Sequence, residues 1–217
     1  MSSPVDVALI EAWLRARSVA RGLPQPVADH GGLRLETGLP KETRRYVFAR
    51  ATEGLREIAD DVCEPRIFLK LCDTAEKLRN CIPSRWQIAP PNYMMVCDGD
   101  SARRRGARRL AAGYRLELET ECAVTRACIL SSSGEIAASG YAAEYAGAFI
   151  YDRIVTGEAH RRKGLGAAIM TALAAARRSS AAMQILVATP AGRELYRTLG
   201  WIDYAPYTTA VISDASE

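Results

Sequence analysis

"HRRKGLGAAIMTAL", residues 160–173, sets a basic cluster and a Gly-x-Gly immediately before a run of small and aliphatic residues. Leu165, Ile169, Leu173 and Ala176 recur at helical spacing, which predicts a helix that begins near Gly166 and buries that stripe. The first turn of a helix leaves backbone N–H groups without partners, and the macrodipole adds about half a positive charge there. Gly164 and Gly166 carry no β-carbon to hold a ligand away from those amides, and Arg161, Arg162 and Lys163 raise the local potential. These residues alone allow two readings: a seat for phosphate or pyrophosphate, or a basic helix start facing solvent. A P-loop is excluded because Gly-x-x-x-x-Gly-Lys-[Ser/Thr] is absent. The dinucleotide fingerprint fails because Ile169 stands where its third glycine belongs.

Working outward, "YRLELETEC" (114–122), residues 125–145 and "AGAFIYDRIVT" (146–156) predict three or four strands, with Ser132, Ser133 and Gly134 turning between two of them. Alternation along 148–156 puts Asp152 on one face with Ile150, Ile154 and Thr156, and Arg153 on the other. Downstream, "QILVAT" (184–189) predicts a buried strand. A helix capped by Thr189 and opened by Pro190 follows, with Leu195 and Leu199 as core anchors and Gly200 as its stop. A last strand covers 200–212. Strands followed by strand–helix–strand–helix–strand predict a mixed α/β domain.

Upstream, residues 5–20 predict a helix with Leu9, Ile10, Trp13 and Leu14 on one face and Glu11, Arg15 and Arg17 on the other, broken by "GLPQP". Strands at 32–38, 44–49, 66–72 and 92–97 alternate with helices near 51–62 and 73–81, and no internal repeat is visible. "DGDSARRRGARR" (98–109) has no apolar periodicity and predicts the boundary between an N-terminal α/β region, 1–110, and a second domain, 111–217.

Composition narrows the function classes. The chain has 217 residues, 48% of them hydrophobic and 25% charged, and its net charge of +4 does not itself imply a nucleic-acid partner. "RRRGARR" lacks the interleaved aromatics of a nucleic-acid surface. No apolar run reaches the roughly 18 residues needed to span a membrane. The N-terminus carries acids early and arginines late, the reverse of a secretory signal, so a cytoplasmic protein is expected. Six cysteines without a Cys-x-x-Cys pair, and only His30 and His160, predict reduced, mostly buried thiols and no metal site.

"RIVTGEAHRRKGLGAAIMTAL" (153–173) and "ILVATPAGRELYRTLGW" (185–201) together resemble the GCN5-related N-acetyltransferase (GNAT) family, over roughly residues 113–212. The resemblance implies a mixed, mostly antiparallel sheet flanked by helices, with acetyl-CoA as co-substrate. It implies that Arg161, Arg162, Lys163, Gly164, Leu165, Gly166 and Ala167 hold the pyrophosphate. Ile154, Val155 and Thr156 would offer a free strand edge to the pantetheine amides. Tyr196 stands where many members carry the proton donor to the departing thiolate. Asp152 is the first candidate for the base, or else the ion-pair partner of an arginine; Glu144 and Glu158 stand behind it as bases, and His160 is expected beside the phosphates. The implied reaction is acetyl transfer to a primary amine, on a small molecule or a protein, by direct attack on the thioester. An acyl-CoA sensor or inactive module is the alternative.

Members of the family place two helices that wall the acceptor site after their first strand. Here 114–122 runs into 125–131 with no room for them. Either the strand order is altered or residues 1–97 supply the wall; the second is the favoured expectation, and Trp13, Tyr46, Trp86, Tyr93 and Met94 either line that pocket or pack the core. The acceptor itself is not legible in the sequence. An exposed edge strand would also allow a homodimer.

Overall fold

The computed structural model describes residues 4–97 and 110–212. The predicted boundary segment at 98–109, with its arginine cluster, lies outside the described residues. Asp6 accepts the Ala8 N–H and starts α1 (Val7–Arg21); the helix ends on Gly22, whose φ of +61° is the left-handed stop that glycine adopts at little cost. Then come β1 (Val27–Asp29), β2 (Gly32–Leu39), β3 (Glu42–Phe48), α2 (Glu53–Asp61), β4 (Ile67–Leu71), α3 (Ala75–Arg79), β5 (Trp86–Ile88) and β6 (Asn92–Cys97). The second half holds β7 (Tyr114–Glu121), β8 (Val124–Ser131), β9 (Ile136–Tyr145), β10 (Ala148–Thr156), α4 (Leu165–Ala175), β11 (Met183–Ala188), α5 (Pro190–Thr198) and β12 (Ile202–Ile212).

The strands join one sheet in the order β1-β2-β3-β4-β12-β6-β11-β10-β9-β8-β7, with β5 pairing β12 beside the main path. Among the described residues only β3–β4 and β10–β11 run parallel, and each of these pairs is bridged by a helix, α2 or α4. This is the mostly antiparallel mixed sheet flanked by helices that the resemblance implies. It also contains a repeat that the sequence hides. The unit strand–strand–helix–strand–helix–strand occurs as β2-β3-α2-β4-α3-β6, with the three-residue β5 inserted before β6, and again as β9-β10-α4-β11-α5-β12. The two copies exchange their last strands: β6 pairs with β11 of the second half, and β12 pairs with β4 of the first. The arrangement β4-β12-β6-β11 therefore reads alike from either side of its centre.

Helices cover both faces of the second half. α4 packs on β8, β9 and β10, and α1 packs on β9 and β10. Alternation along β10 feeds both layers, Phe149 and Tyr151 into the core under α4, Ala148 and Ile150 into the core under α1. Trp13, Ile10 and Leu14 of α1 are almost fully buried there, each stabilising the fold by about 1.5–3 kcal/mol on area grounds. Close packing under α4 depends on Gly140 of β9, where an added β-carbon would lie 2.4 Å from Ile154 Cδ1 and 2.8 Å from Ile169 Cγ2. A third core, around Phe48, Leu55, Leu69 and Trp86, sits in the N-terminal half. Tyr46, Trp86 and Met94 belong to these cores, while Tyr93 is partly buried under the Arg193 guanidinium, 3.8 Å from its ring centroid. Cys72, Cys81, Cys97 and Cys128 are buried thiols, and Cys63 and Cys122 are exposed.

Candidate active site

The two parallel strand pairs differ in one respect that creates a site. β3 and β4 stay paired to Phe48↔Leu71, and the Cys72 N–H extends the ladder to the Phe48 carbonyl at 2.9 Å. β10 and β11 pair from Ala148↔Met183 only to Tyr151↔Leu186. Beyond that point β11 continues on β6 through Val187 and Ala188, while β10 follows β9. A cavity of about 280 Å³ fills the gap, lined by Asp152, Ile154, Val187, Ala188 and Tyr196 together with Trp13, Arg17 and Arg21 of α1. Larger, shallow depressions cross β7 and β8 around Glu117, Glu119 and Arg126, but no strand parts from its neighbour there.

A bulge breaks β10 at the mouth of the gap. Its register with β9 shifts between Asp152 and Val155, and Arg153 takes a φ of +53°. The bulge corrects the alternation expected from sequence. Ile154 turns toward Ile169 and Gly140 on the α4 side, away from Ile150 and Asp152, and Thr156 lies beside Gly166. Arg153 lies on the same side as Asp152: its Nη2 donates to the Ala20 carbonyl at 2.5 Å, and its Nε is 3.5 Å from Asp152 Oδ2. Val155 is exposed at the free edge.

The turn into α4 supplies donors. A 3-10 turn, Glu158–His160, leads to Arg161, Arg162 and Lys163, all exposed, and α4 begins at Leu165, one residue before the expected start. Arg162 at φ +63° and Gly164 at φ +76° coil the backbone. The N–H groups of Arg162 through Ala167 meet no acceptor among the described residues. Free amides in a backbone coiled through left-handed residues are the kind of feature from which anion-binding nests are made. A β-carbon on Gly166 would fall 3.1 Å from Leu195 Cδ2, so glycine lets α5 close on the loop, while Thr156 Oγ1 at 3.6 Å would be in ordinary contact. The side chains of Leu165 and Ala167 are buried in the core, leaving their N–H groups as what they offer. These features fit a diphosphate. His160 Nδ1 lies 2.9 Å from the Tyr114 hydroxyl, to which Lys163 Nζ donates at 3.0 Å, so the loop is tied back to β7.

Tyr196 stands on α5, which Thr189 caps by accepting the Gly192 N–H at 3.2 Å and Pro190 opens. Gly200, at φ +88°, follows its end, and Leu195 and Leu199 pack partly buried against the core. The phenol is 7% exposed, and burial pushes its pKa up to about 12, so it keeps its proton at any ordinary pH. Asp152 is clamped. Arg21 donates from Nε to Oδ2 at 2.5 Å and from Nη2 to Oδ1 at 2.9 Å, and Arg17 Nε lies 3.6 Å from Oδ1. Burial alone would raise its pKa. The Arg21 hydrogen bonds and the charges of Arg17, Arg21 and Arg153 outweigh burial and hold the carboxyl below the usual carboxylate range. The other base candidates lie elsewhere. Glu144 accepts the Arg178 and Ser179 N–H groups at 2.7 and 3.0 Å beyond α4, and Glu158 is 90% exposed beside Arg161.

Arg17 and Arg21 were not legible as site residues, because Arg17 reads as part of the solvent face of α1. The signal was present: Trp13, Arg17 and Arg21 are spaced four apart and form one stripe with the buried tryptophan. Among the described residues no group of three or more His, Cys, Asp or Glu is placed to hold a metal, and no helix is long and apolar enough to cross a membrane.

Residues 123–203 match the family model described as an acetyltransferase (GNAT) domain. No curated protein sequence matches the chain significantly. Among solved structures, a GCN5-related N-acetyltransferase from Kribbella flavida superposes with a TM-score of 0.66 at 15% identity, over 98% of each chain. A GCN5-related N-acetyltransferase from Sphaerobacter thermophilus gives 0.56 at 10% identity, over 86% of this chain and 78% of that one. A tandem GNAT protein from the clavulanic acid biosynthesis pathway gives 0.58 at 14% identity, over 85% and 80%. The splayed β10–β11 pair and the amide-rich turn into α4 lie within the matched segment, and residues 123–203 of this chain belong to the GNAT acetyltransferase domain family.

Proposed function

We propose that the chain is an acetyl-CoA-dependent N-acetyltransferase acting on a primary amine. The observation that carries this reading is the parting of β10 from β11 after Tyr151, directly beside unpartnered N–H groups running from Arg162 to Ala167. A parted strand leaves main-chain donors and acceptors to be satisfied by an amide-bearing ligand, and the turn suits its diphosphate. Bound acetyl-CoA would supply an activated acetyl thioester.

The chain's residues divide the remaining work. The amides of Arg162–Ala167, with Arg161, Arg162 and Lys163, hold the diphosphate, and the edge Ile154–Thr156 orients the chain that leads to the thioester. A main-chain N–H at that edge steadies negative charge on the carbonyl oxygen. Tyr196, kept neutral by burial, donates its proton to the departing sulfur. Asp152, held low by its guanidinium neighbours, is a weak base. We assign it the positioning of Arg17 and Arg21, and the amine gives up its proton to water in the cavity.

The N-terminal half is the acceptor wall in this reading: α1 takes the place of the helices missing between β7 and β8. The division at about residue 110 is then one of chain order, since β6 and β12 each complete the other half's sheet. A cytoplasmic setting fits the four buried free thiols.

The test is free-thiol release from acetyl-CoA with a panel of amines, beside titration calorimetry with coenzyme A. Amine-dependent release is expected. Heat of binding with no release from any amine would favour a module that holds acyl-CoA without transfer, and no heat at all would remove both readings.

A further inference from the structure

We propose that the acceptor is an amine that also carries an anionic oxyacid group, a carboxylate or a phosphate, and that Arg17 receives that group. The inference rests on the transferase reading and specifies its second substrate.

Arg17 lines the cavity, yet it donates no hydrogen bond to any described residue. Its Nη1 is shielded from solvent with no hydrogen-bond partner among the described residues. The contacts it does make are a charge contact with Asp152 at 3.6 Å, too long for a hydrogen bond, and the Trp13 ring, 5.7 Å from Cζ. A guanidinium so placed has lost hydration without recovering it from the protein, and a planar oxyacid is the group that best matches its fork of donors. Its neighbours are already engaged: Arg21 binds Asp152 at two points, and Arg153 binds the Ala20 carbonyl and stacks 3.8 Å over Tyr141.

The charge of the walls points the same way. Among the described residues three guanidiniums line the cavity against one carboxylate, Asp152, which Arg21 occupies. A polycationic amine would meet net repulsion and find no free carboxylate. An amino acid or an aminoalkyl phosphate presents an anion to Arg17 while its amine remains available to the thioester. The stripe Trp13–Arg17–Arg21 comes from α1, so this selection would be a contribution of the N-terminal half.

The experiment compares kcat/KM for thiol release with the common amino acids, the corresponding amino-acid amides, O-phosphoethanolamine and putrescine. At least one acid is expected to exceed its own amide by tenfold or more, with putrescine below both. Arg17→Met retains length and apolar contact with Trp13; it should raise KM for the best acid at least tenfold, change kcat less, and bring the acid-to-amide ratio near one. Arg17→Lys should restore part of that ratio. Thermal melts of both variants monitor the fold. O-Phosphoethanolamine as the best substrate, with the same dependence on Arg17, would identify phosphate as the anion. Preference for amides or putrescine, or an equal loss for acid and amide in Arg17→Met, would overturn the assignment. Coenzyme A calorimetry is scored separately: absence of binding, or binding with no turnover of any amine, sinks the transferase reading, whereas turnover of an amide or putrescine but of no anionic amine sinks this assignment alone.

Discussion

Arg21 and Asp152, 131 positions apart in sequence, meet in a two-point ion pair at 2.5 and 2.9 Å. The pair joins the last turn of α1 to the bulge of β10, and so links the N-terminal half to the mouth of the cavity. Both partners are largely buried, the carboxylate 10% exposed. Removing one member of such a pair leaves the other charge uncompensated, at a cost of about 3–5 kcal/mol. Asp152→Asn should therefore lower stability by that order, read in urea unfolding at pH 7. The pH dependence follows from the lowered pKa. The unfolded chain takes up the proton near the ordinary value of about 3.9, the folded chain only lower, so the stabilisation is complete above that range and lost as pH falls through the folded value. The acid limb of wild type should thus be steeper than that of Asp152→Asn; superimposable limbs would show that the pair does not titrate with folding.

The second half of the fold was legible because its signals are local. Glycines at 164 and 166, the Thr189-Pro190 helix start and the stop at Gly200 each act within one turn of chain. The repeat was hidden for the opposite reason. Its first copy enters α2 through Thr52, whose hydroxyl accepts the Leu55 N–H at 3.3 Å, followed by Glu53, so nothing there resembles the basic glycine turn. Strand exchange between β6 and β12 is a long-range pairing with no mark in either strand. The bulge at Arg153 likewise follows from Arg153 meeting Ala20 and Tyr141, partners that periodicity does not reveal.

Tyr196→Phe separates chemistry from packing. The ring contact with Trp201 survives the change, since only the hydroxyl is lost. If the phenol protonates the leaving sulfur, kcat should fall about 10²–10⁴-fold while KM for acetyl-CoA holds. The wild-type rate should show no alkaline fall from this group below about pH 10, because burial keeps it protonated up to about pH 12. A kcat within a factor of two of wild type would assign the hydroxyl a packing role only.

Gly140→Ala probes the contact that seats α4. The new methyl would fall 2.4 Å from Ile154 Cδ1 and 2.8 Å from Ile169 Cγ2, inside van der Waals distance of both β10 and α4. Overpacking of this kind destabilises by about 1–3 kcal/mol. Because Ile154 belongs to the free edge, the shift should also raise KM for acetyl-CoA several-fold, and a variant with lowered melting temperature but unchanged KM would show the edge to be independent of its support.

Lys70 is a buried amine in the N-terminal half. Its Nζ donates to Thr209 Oγ1 at 3.1 Å and lies over the rings of Phe68 and Tyr207. Burial lowers its pKa to about 8; Glu42 opposes the shift, and the charges of Arg17 and Arg21 add to it. Between pH 8 and the ordinary value of about 10.4 the unfolded chain holds a proton that the folded chain has released, so this group makes stability rise with pH across that window. Lys70→Met should remove the rise, measured as the difference between the two melting curves from pH 7 to 10.5. Parallel curves would place the titration elsewhere.

Charge reversal at the turn into α4 tests the nest against its simpler alternative, a basic helix start facing solvent. Arg161 is 63% exposed and Lys163 donates only to Tyr114 among the described residues, so Arg161→Glu/Lys163→Glu should change stability little. Charge-assisted contacts to a diphosphate are stronger than surface pairs, and losing two of them should raise Kd for coenzyme A about ten- to a hundredfold. The wild-type affinity should weaken with added salt more steeply than that of the double variant, because two cations no longer contribute. Equal affinities by calorimetry would mean that backbone amides carry the binding without these side chains. Gly166→Ala then decides whether the amides themselves do: its methyl crowds Leu195 at 3.1 Å, and it should weaken binding even where the charges are silent.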